Sequence, residues 1–198
     1  MESTDRRDRA VPHWAYGAGI VATIIAAAAI LLAMGRNPIC TCGTIELWHG
    51  SVQSAGNSQH LSDWYSFSHV THGFLFYGLG WWLLRTRPFG LRLLAATLIE
   101  AGWEILENTP MVIDRYREAT MAFGYSGDSV LNSVSDIAMM IAGFWLACRL
   151  RWTWVVALAL AFEAFTLWRI RDNLTLNIVM LVAPIDAVRD WQADAPKR

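Results

Sequence analysis

An all-α, polytopic transmembrane bundle of about five spans is the fold this sequence predicts, as a single domain over 1–198 with a long periplasmic loop after the first span and an interfacial helix at the carboxyl end. Two observations predict it. Of 198 residues, 55% are hydrophobic, only 17% are charged and 11 are tryptophan, more apolar material than one soluble core of this size needs. That material is also gathered into stretches close to the ~20 residues that cross a bilayer as a helix. A third observation bears on function: three successive spans carry polar stripes, and a charge count places all three at one end of the membrane.

The first span covers 13–34, where Ile20 to Ala33 hold no charge and are mostly Ala, Ile and Leu. A cleaved signal peptide would have a shorter apolar core and a small-residue cleavage site, whereas Arg36, Asn37 and Pro38 follow this stretch. Arg6 and Arg7 match a twin-arginine signal weakly, because Asp8 and Arg9 stand where apolar residues belong. The polar segment 35–65 is too long for a tight turn and holds Asn57, Ser58, Gln59, His60 and Asp63, the character of a binding loop. Spans over 66–84 and 91–108 follow, separated by Arg85, Arg87, Pro88 and Gly90, and Pro110 stops the third. A charged loop with Asp114, Arg115, Arg117 and Glu118 leads to a fourth span over 129–148, with Asp128 as its candidate N-cap, and a fifth covers 152–170. The apolar patch from Leu174 is too short to cross before Pro184, so 174–191 is expected to be interfacial or re-entrant.

Orientation follows from the arginines. Arg6, Arg7, Arg9, Arg85, Arg87, Arg92, Arg149 and Arg151 fall on one side of a five-span chain, against Arg36, Arg115, Arg117, Arg169 and Arg171 on the other. The positive-inside bias makes the first side, and the amino terminus, cytoplasmic. Trp14, Trp81, Trp82, Trp152, Trp154 and Trp168 sit near span ends, as an aromatic belt requires.

On that topology Ser68, His69 and His72 lie on one face near the outer start of span two. Glu100, Glu104 and Glu107 line one face of the outer half of span three, and Asp128, Asn132, Ser135 and Asp136 do the same on span four. Ionisable groups in a bilayer are costly and mark functional sites by default. His69 and His72 with neighbouring carboxylates have the ligand types of a divalent metal such as zinc or manganese, which would make a nucleophile of bound water. Glu100, Glu104 and Asp136 are the candidate catalytic carboxylates, with or without metal, and Asn57, His60, Arg115, Arg117, Asn132 and Arg171 the candidate substrate-binding residues. A proton relay is a third use of the same groups, and a packing network that only fixes the helices is the bland alternative. Glu107 and Asp128, near helix ends within reach of water, are the expected bystanders.

Other chemistry is thinly supported. A net charge of -1 with scattered arginines excludes a nucleic-acid surface. Cys40 and Cys42 are separated by one residue, which argues against a disulfide framework and leaves them as weak candidates for extra metal ligands.

Several strings carry a resemblance: Trp48-His49-Gly50, 57–65, Ser68-His69-Val70-Thr71-His72-Gly73, 103–110, Asp114-Arg115-Tyr116-Arg117, 127–133 and 171–177. They resemble the signature of an uncharacterised family of alphaproteobacterial multi-pass inner-membrane proteins, over nearly everything after the first span. The layout is also loosely similar to VanZ-like membrane proteins, in which a His-bearing helix precedes acidic helices. The resemblance implies a bacterial inner-membrane location and leaves the chemistry open. The expected function is a metal-dependent hydrolase or transferase acting at the periplasmic side on a lipid or lipid-linked envelope substrate, with membrane lipids as partners. The alternatives are a small proton- or ion-coupled transporter and a non-catalytic assembly factor.

Overall fold

The computed structural model describes residues 11–120 and 125–193, and among them every regular element is a helix: α1 (His13–Ala33), α2 (Ser66–Leu84), α3 (Phe89–Glu107), α4 (Pro110–Ala119), α5 (Val130–Arg149), α6 (Trp152–Ile170), α7 (Leu174–Val182) and α8 (Asp186–Ala193). Arg6, Arg7 and Arg9, on which part of the orientation argument rests, lie outside the described residues. The five long helices fall within two residues of the expected bounds. Three of them, α1, α5 and α6, are long and apolar enough to cross a membrane by length and composition. Five were expected. α2 and α3, each 19 residues long, lose hydropathy to the polar residues that form the stripes.

Two further elements depart from expectation. The segment 110–119, expected as a charged loop, is the helix α4, with Pro110 in its first turn. Proline there stops α3 and starts α4, because the first helical N–H has no intrahelical partner to lose. The expected 174–191 unit breaks at Pro184 into α7, capped by the Asn173 side chain accepting from Leu176 N at 2.8 Å, and the separate α8. Arg171 enters this region in the left-handed conformation (φ 55°), which ends α6 and reverses the chain.

α2 and α5 pack together at the centre. A side chain on Gly73 would collide with the main chain of Met140 and Phe144, and one on Gly143 with that of Val70, so the two backbones touch through reciprocal glycines. α1 and α3 close one flank through Ala27, Ala101 and Ile137, backed by Ile24, Ile105 and Ile141. Towards the Arg85–Arg149 end, Ala96, Met140 and Phe144 pack with Tyr77, Phe89 and Leu93. α6 docks by aromatic contact, Phe162 against Phe67 and Phe165 against Trp64, and exposes Trp154, Leu160 and Trp168 outward.

The loop 35–65 folds over one end of this bundle and holds the start of α5. Ser129 N, Val130 N and Leu131 N donate to the carbonyls of Ser58, Asn37 and Pro38 at 3.0, 2.8 and 3.1 Å, and Asn132 N donates to Ser129 Oγ at 3.1 Å. The N–H groups that a helix start leaves unpaired are therefore met by loop carbonyls and one side chain. The N-cap is Ser129; Asp128, expected in that role, is turned to other partners. Cys40 and Cys42 are joined in a disulfide inside this loop, contrary to the expectation from their spacing.

Candidate functional site

The three stripes converge. His69 occupies the first turn of α2, where Nδ1 lies 2.7 Å from Glu100 Oε1 and 3.5 Å from Glu104 Oε1 on α3, while Nε2 lies 3.7 Å from Asp136 Oδ2 on α5. One turn along α2, His72 Nδ1 lies 3.1 Å from both oxygens of Glu100. An ionised Glu100 accepts an N–H from each ring, which leaves the Nε2 lone pair of each neutral imidazole unused. The separation of His69 Nε2 from Asp136 is too long for a hydrogen bond. It is close to the ~3.3 Å between two ligands of one tetrahedral ion at ordinary zinc bond lengths.

Beneath these groups Glu104 is fully buried, and neither of its carboxylate oxygens has a hydrogen-bond partner. His69, Glu104 and Asp136 each offer a ligand atom within 4.8 Å of the others, as do His69, His72 and Glu100. Ser66 Oγ donates to Asp136 Oδ1 at 3.3 Å and itself accepts from Asp63 N at 3.1 Å, tying the loop to the site. Asp63 is buried and takes N–H bonds from Ser58 and Tyr65 at 3.0 and 2.8 Å; burial raises its carboxyl above the usual aspartate value, and those two bonds offset part of that.

Glu107 and Asp128, expected to be reached by water, are buried at 9% and 5% exposure. Asp128 takes a hydrogen bond from Tyr125 Oη at 2.8 Å and from Asn108 Nδ2 at 2.9 Å, and Asn108 Oδ1 accepts from Asp128 N at 2.7 Å. Burial and the adjacent Asp128 carboxylate push the Tyr125 phenol well up. Asn108 follows Glu104 by four residues and extends its stripe, whereas spacing alone does not find Tyr125, because it is the turn at Gly127, with φ 93°, that brings Asp128 back over the end of α3.

Above the cluster lies a cavity of about 340 Å³. His69, His72, Glu100, Glu107, Asp128 and Asp136 form its polar floor, while Leu75, Phe76, Ile99, Trp103 and Ile178 make an apolar wall. Leu75 of α2 and Ile99 of α3 belong to that wall and are also exposed on the outer surface, at 57% and 51%. The cavity thus reaches the side of the bundle between α2 and α3.

A family model described as "Protein of unknown function (DUF2585)" matches residues 31–194. The chain belongs to that family. It is similar to a UPF0314 protein of Sphingopyxis alaskensis, 62% identical over 180 residues that cover 91% of this chain and 94% of the relative. UPF0314 proteins of Sinorhizobium fredii (56% over 190 residues, 96% and 95% covered) and Agrobacterium fabrum (51% over 196 residues, 99% and 98% covered) are similar over almost their whole length. These organisms are alphaproteobacteria, as the resemblance implied. No solved structure matches the chain.

In this DUF2585 chain the remaining candidate residues divide between cavity and surface. Asn57 and Asn132 line the cavity; Asn132 Nδ2 donates to His60 O at 2.9 Å, and Asn57 Oδ1 is buried without a partner. The His60 ring is buried in the loop, stacked on His49 with centroids 4.9 Å apart and accepting Glu46 N at Nδ1. Arg115, Arg117 and Arg171 each hold a main-chain carbonyl, of Leu181, Tyr125 and Trp191, and none lines the cavity. Ser68 lines the cavity and Ser135 does not. Behind the cavity, Asp172 takes bonds from Tyr65 Oη, Asn173 N and Gln192 Nε2, yet burial still raises its pKa to about 6.

Proposed function

We propose that α1, α2, α3, α5 and α6 all span the bacterial inner membrane, with the amino terminus cytoplasmic and the cavity on the periplasmic side, and that the chain is a metal-dependent hydrolase or transferase acting on a lipid or lipid-linked envelope substrate. The arginine count supports the orientation, and the polar stripes explain why α2 and α3 read as less apolar than the other spans. Helices that bury such residues against one another have no need to present them to lipid.

The observation that carries the chemistry is the meeting of His69, His72, Glu100, Glu104 and Asp136, with a fully buried Glu104 that lacks any hydrogen bond. A buried carboxylate in that state requires a cation or a proton. A divalent metal on His69, Glu104 and Asp136 meets that need and supplies a lowered water pKa and a Lewis acid, while Glu100 holds both imidazoles in the ligating tautomer. The lateral opening between Leu75 and Ile99 supports a lipid: an acyl chain can enter from the bilayer while its head group reaches the polar floor. Head-group contacts then fall to Asn57 and Asn132, since the three arginines are occupied outside the cavity.

A proton-coupled transporter uses the same carboxylates but needs a polar path onward. In its place the bundle has the apolar layer of Ala96, Met140 and Phe144. Metal content of detergent-purified protein tests the proposal. Stoichiometric zinc or manganese, lost in a His69→Ala/His72→Ala variant that elutes as the same folded species, is expected. No metal in either protein after purification with both ions supplied sinks it.

A further inference from the structure

Glu104 belongs to two ligand sets at once. Its carboxylate stands within 4.8 Å of ligand atoms from His69 and Asp136, and within 4.8 Å of ligand atoms from Glu107 and Asp128. All of these side chains are buried. Asp128 spends one lone pair of each oxygen on Tyr125 and Asn108, and a carboxylate oxygen has two. Both Glu104 oxygens are unspent.

The charge balance leads the same way. Glu100, Glu104, Glu107, Asp128 and Asp136 are faced by two imidazoles, and among the described residues no arginine forms an ion pair with any of the five. One divalent ion beside His69 leaves Glu107 and Asp128, which are hydrogen-bonded to each other, to share a proton or to take a second cation. Carboxylates this close, out of water, do not all stay ionised without a second cation.

We propose that Glu104 bridges two divalent cations, one held with His69 and Asp136 and the other with Glu107 and Asp128. This rests on the metal-dependent reading above and deepens it from one ion to two. The first position offers nitrogen and oxygen ligands and suits zinc or manganese; the second offers oxygen alone and suits manganese or magnesium. Two ions sharing Glu104 would supply the clamp on the two oxygens of a displacement at phosphorus or carbon that two-ion centres provide at separations of roughly 3.5–4 Å. The chemical class this favours is a phosphate ester or diphosphate carried on a lipid, whose charge a two-ion centre neutralises and whose chain the Leu75 and Ile99 wall accommodates.

Manganese is the probe, because one ion type can fill both positions. Purified full-length protein is loaded with Mn(II), freed of excess, and read by ion count per chain and by electron paramagnetic resonance. Two ions with an exchange-coupled spectrum are expected. Glu107→Gln should fall to one ion and an uncoupled six-line signal while still losing that ion when His69 and His72 are replaced. Asp128→Asn, which keeps the side-chain shape between Tyr125 and Asn108, serves if Glu107→Gln does not fold. One ion in the wild type, indifferent to Glu107→Gln but lost with the histidines, overturns the bridge and leaves the single-metal reading standing. Two ions retained in Glu107→Gln and in Asp128→Asn overturn the assignment of the second position. No ion in any of them overturns both proposals, and then the five carboxylates are held by shared protons.

Discussion

Glu100 is the residue on which both histidines depend. It takes the Nδ1 side of each ring, at 2.7 Å from His69 and 3.1 Å from His72. A glutamine offers one carbonyl oxygen and one amide group in the same space. Its oxygen in the place of Oε1 still accepts from both rings, but the amide N–H in the place of Oε2 opposes the His72 Nδ1 proton, and the negative charge that made both imidazoles better ligands is gone. Glu100→Gln is therefore expected to leave the fold in place and weaken metal binding by about 10–100-fold, read by competition against a chelator of known affinity. His69, His72, Glu100, Glu104 and Asp136 were legible in the sequence because helical spacings of three and four put each group on one face. Tyr125 was not, since the turn at Gly127 sets it beside Asp128 and leaves no periodic signal; Ser66 and Asn108 stand at helical spacings from His69 and Glu104 that signal them without distinguishing them from ordinary helix-end residues, and Asp63 was visible only as part of the polar loop.

At the scale of elements the site depends on how closely α2 approaches α5, which is what brings His69 to Asp136. Gly73 and Gly143 permit that approach. A leucine at Gly143 has no room against Val70 and must force the helices apart, an overpacking that costs roughly 1–3 kcal/mol or more. The expected readouts are a lower melting temperature in detergent and loss of bound metal together, whereas leucine at Gly78, which has nothing within 4 Å, should change neither. The long helices were legible to within two residues because their apolar runs are bounded by Pro88, Pro110 and the arginines at span ends. α4 was hidden because it is ten residues long, amphipathic, and opens on the same proline that ends α3. The partition of 174–191 into α7 and α8 followed Pro184, which was visible but was read as the close of an apolar patch rather than as a break between two helices.

For the whole molecule the five-span arrangement proposed above has a direct consequence for accessibility. Single cysteines introduced at Gln53 in the long loop and at Arg87 in the α2 to α3 turn, in a chain whose native cysteines are replaced by serine, should differ in intact cells. Gln53 is expected to react with a membrane-impermeant thiol reagent, and Arg87 only after lysis; the opposite pattern inverts the bundle, and equal labelling removes the α2 crossing that separates them. The apolar composition agrees with three helices long and apolar enough to cross a membrane, whereas α2 and α3 fall short of the expected five because the polar residues of the stripes lower their hydropathy. The carbonyls of Asn37, Pro38 and Ser58 that receive the first N–H groups of α5 carry a further meaning for how the protein is made. A ribosome delivers residues 37–58 some seventy or more residues before 129–131 arrive to use them, on the order of several seconds of synthesis. Until then the loop has no helix to hold and Asp136 is absent, so that of the site only the pairing of Glu100 with His69 and His72 can form. The newborn chain at that stage holds half a site, and the proposed metal centre can assemble only once α5 has arrived.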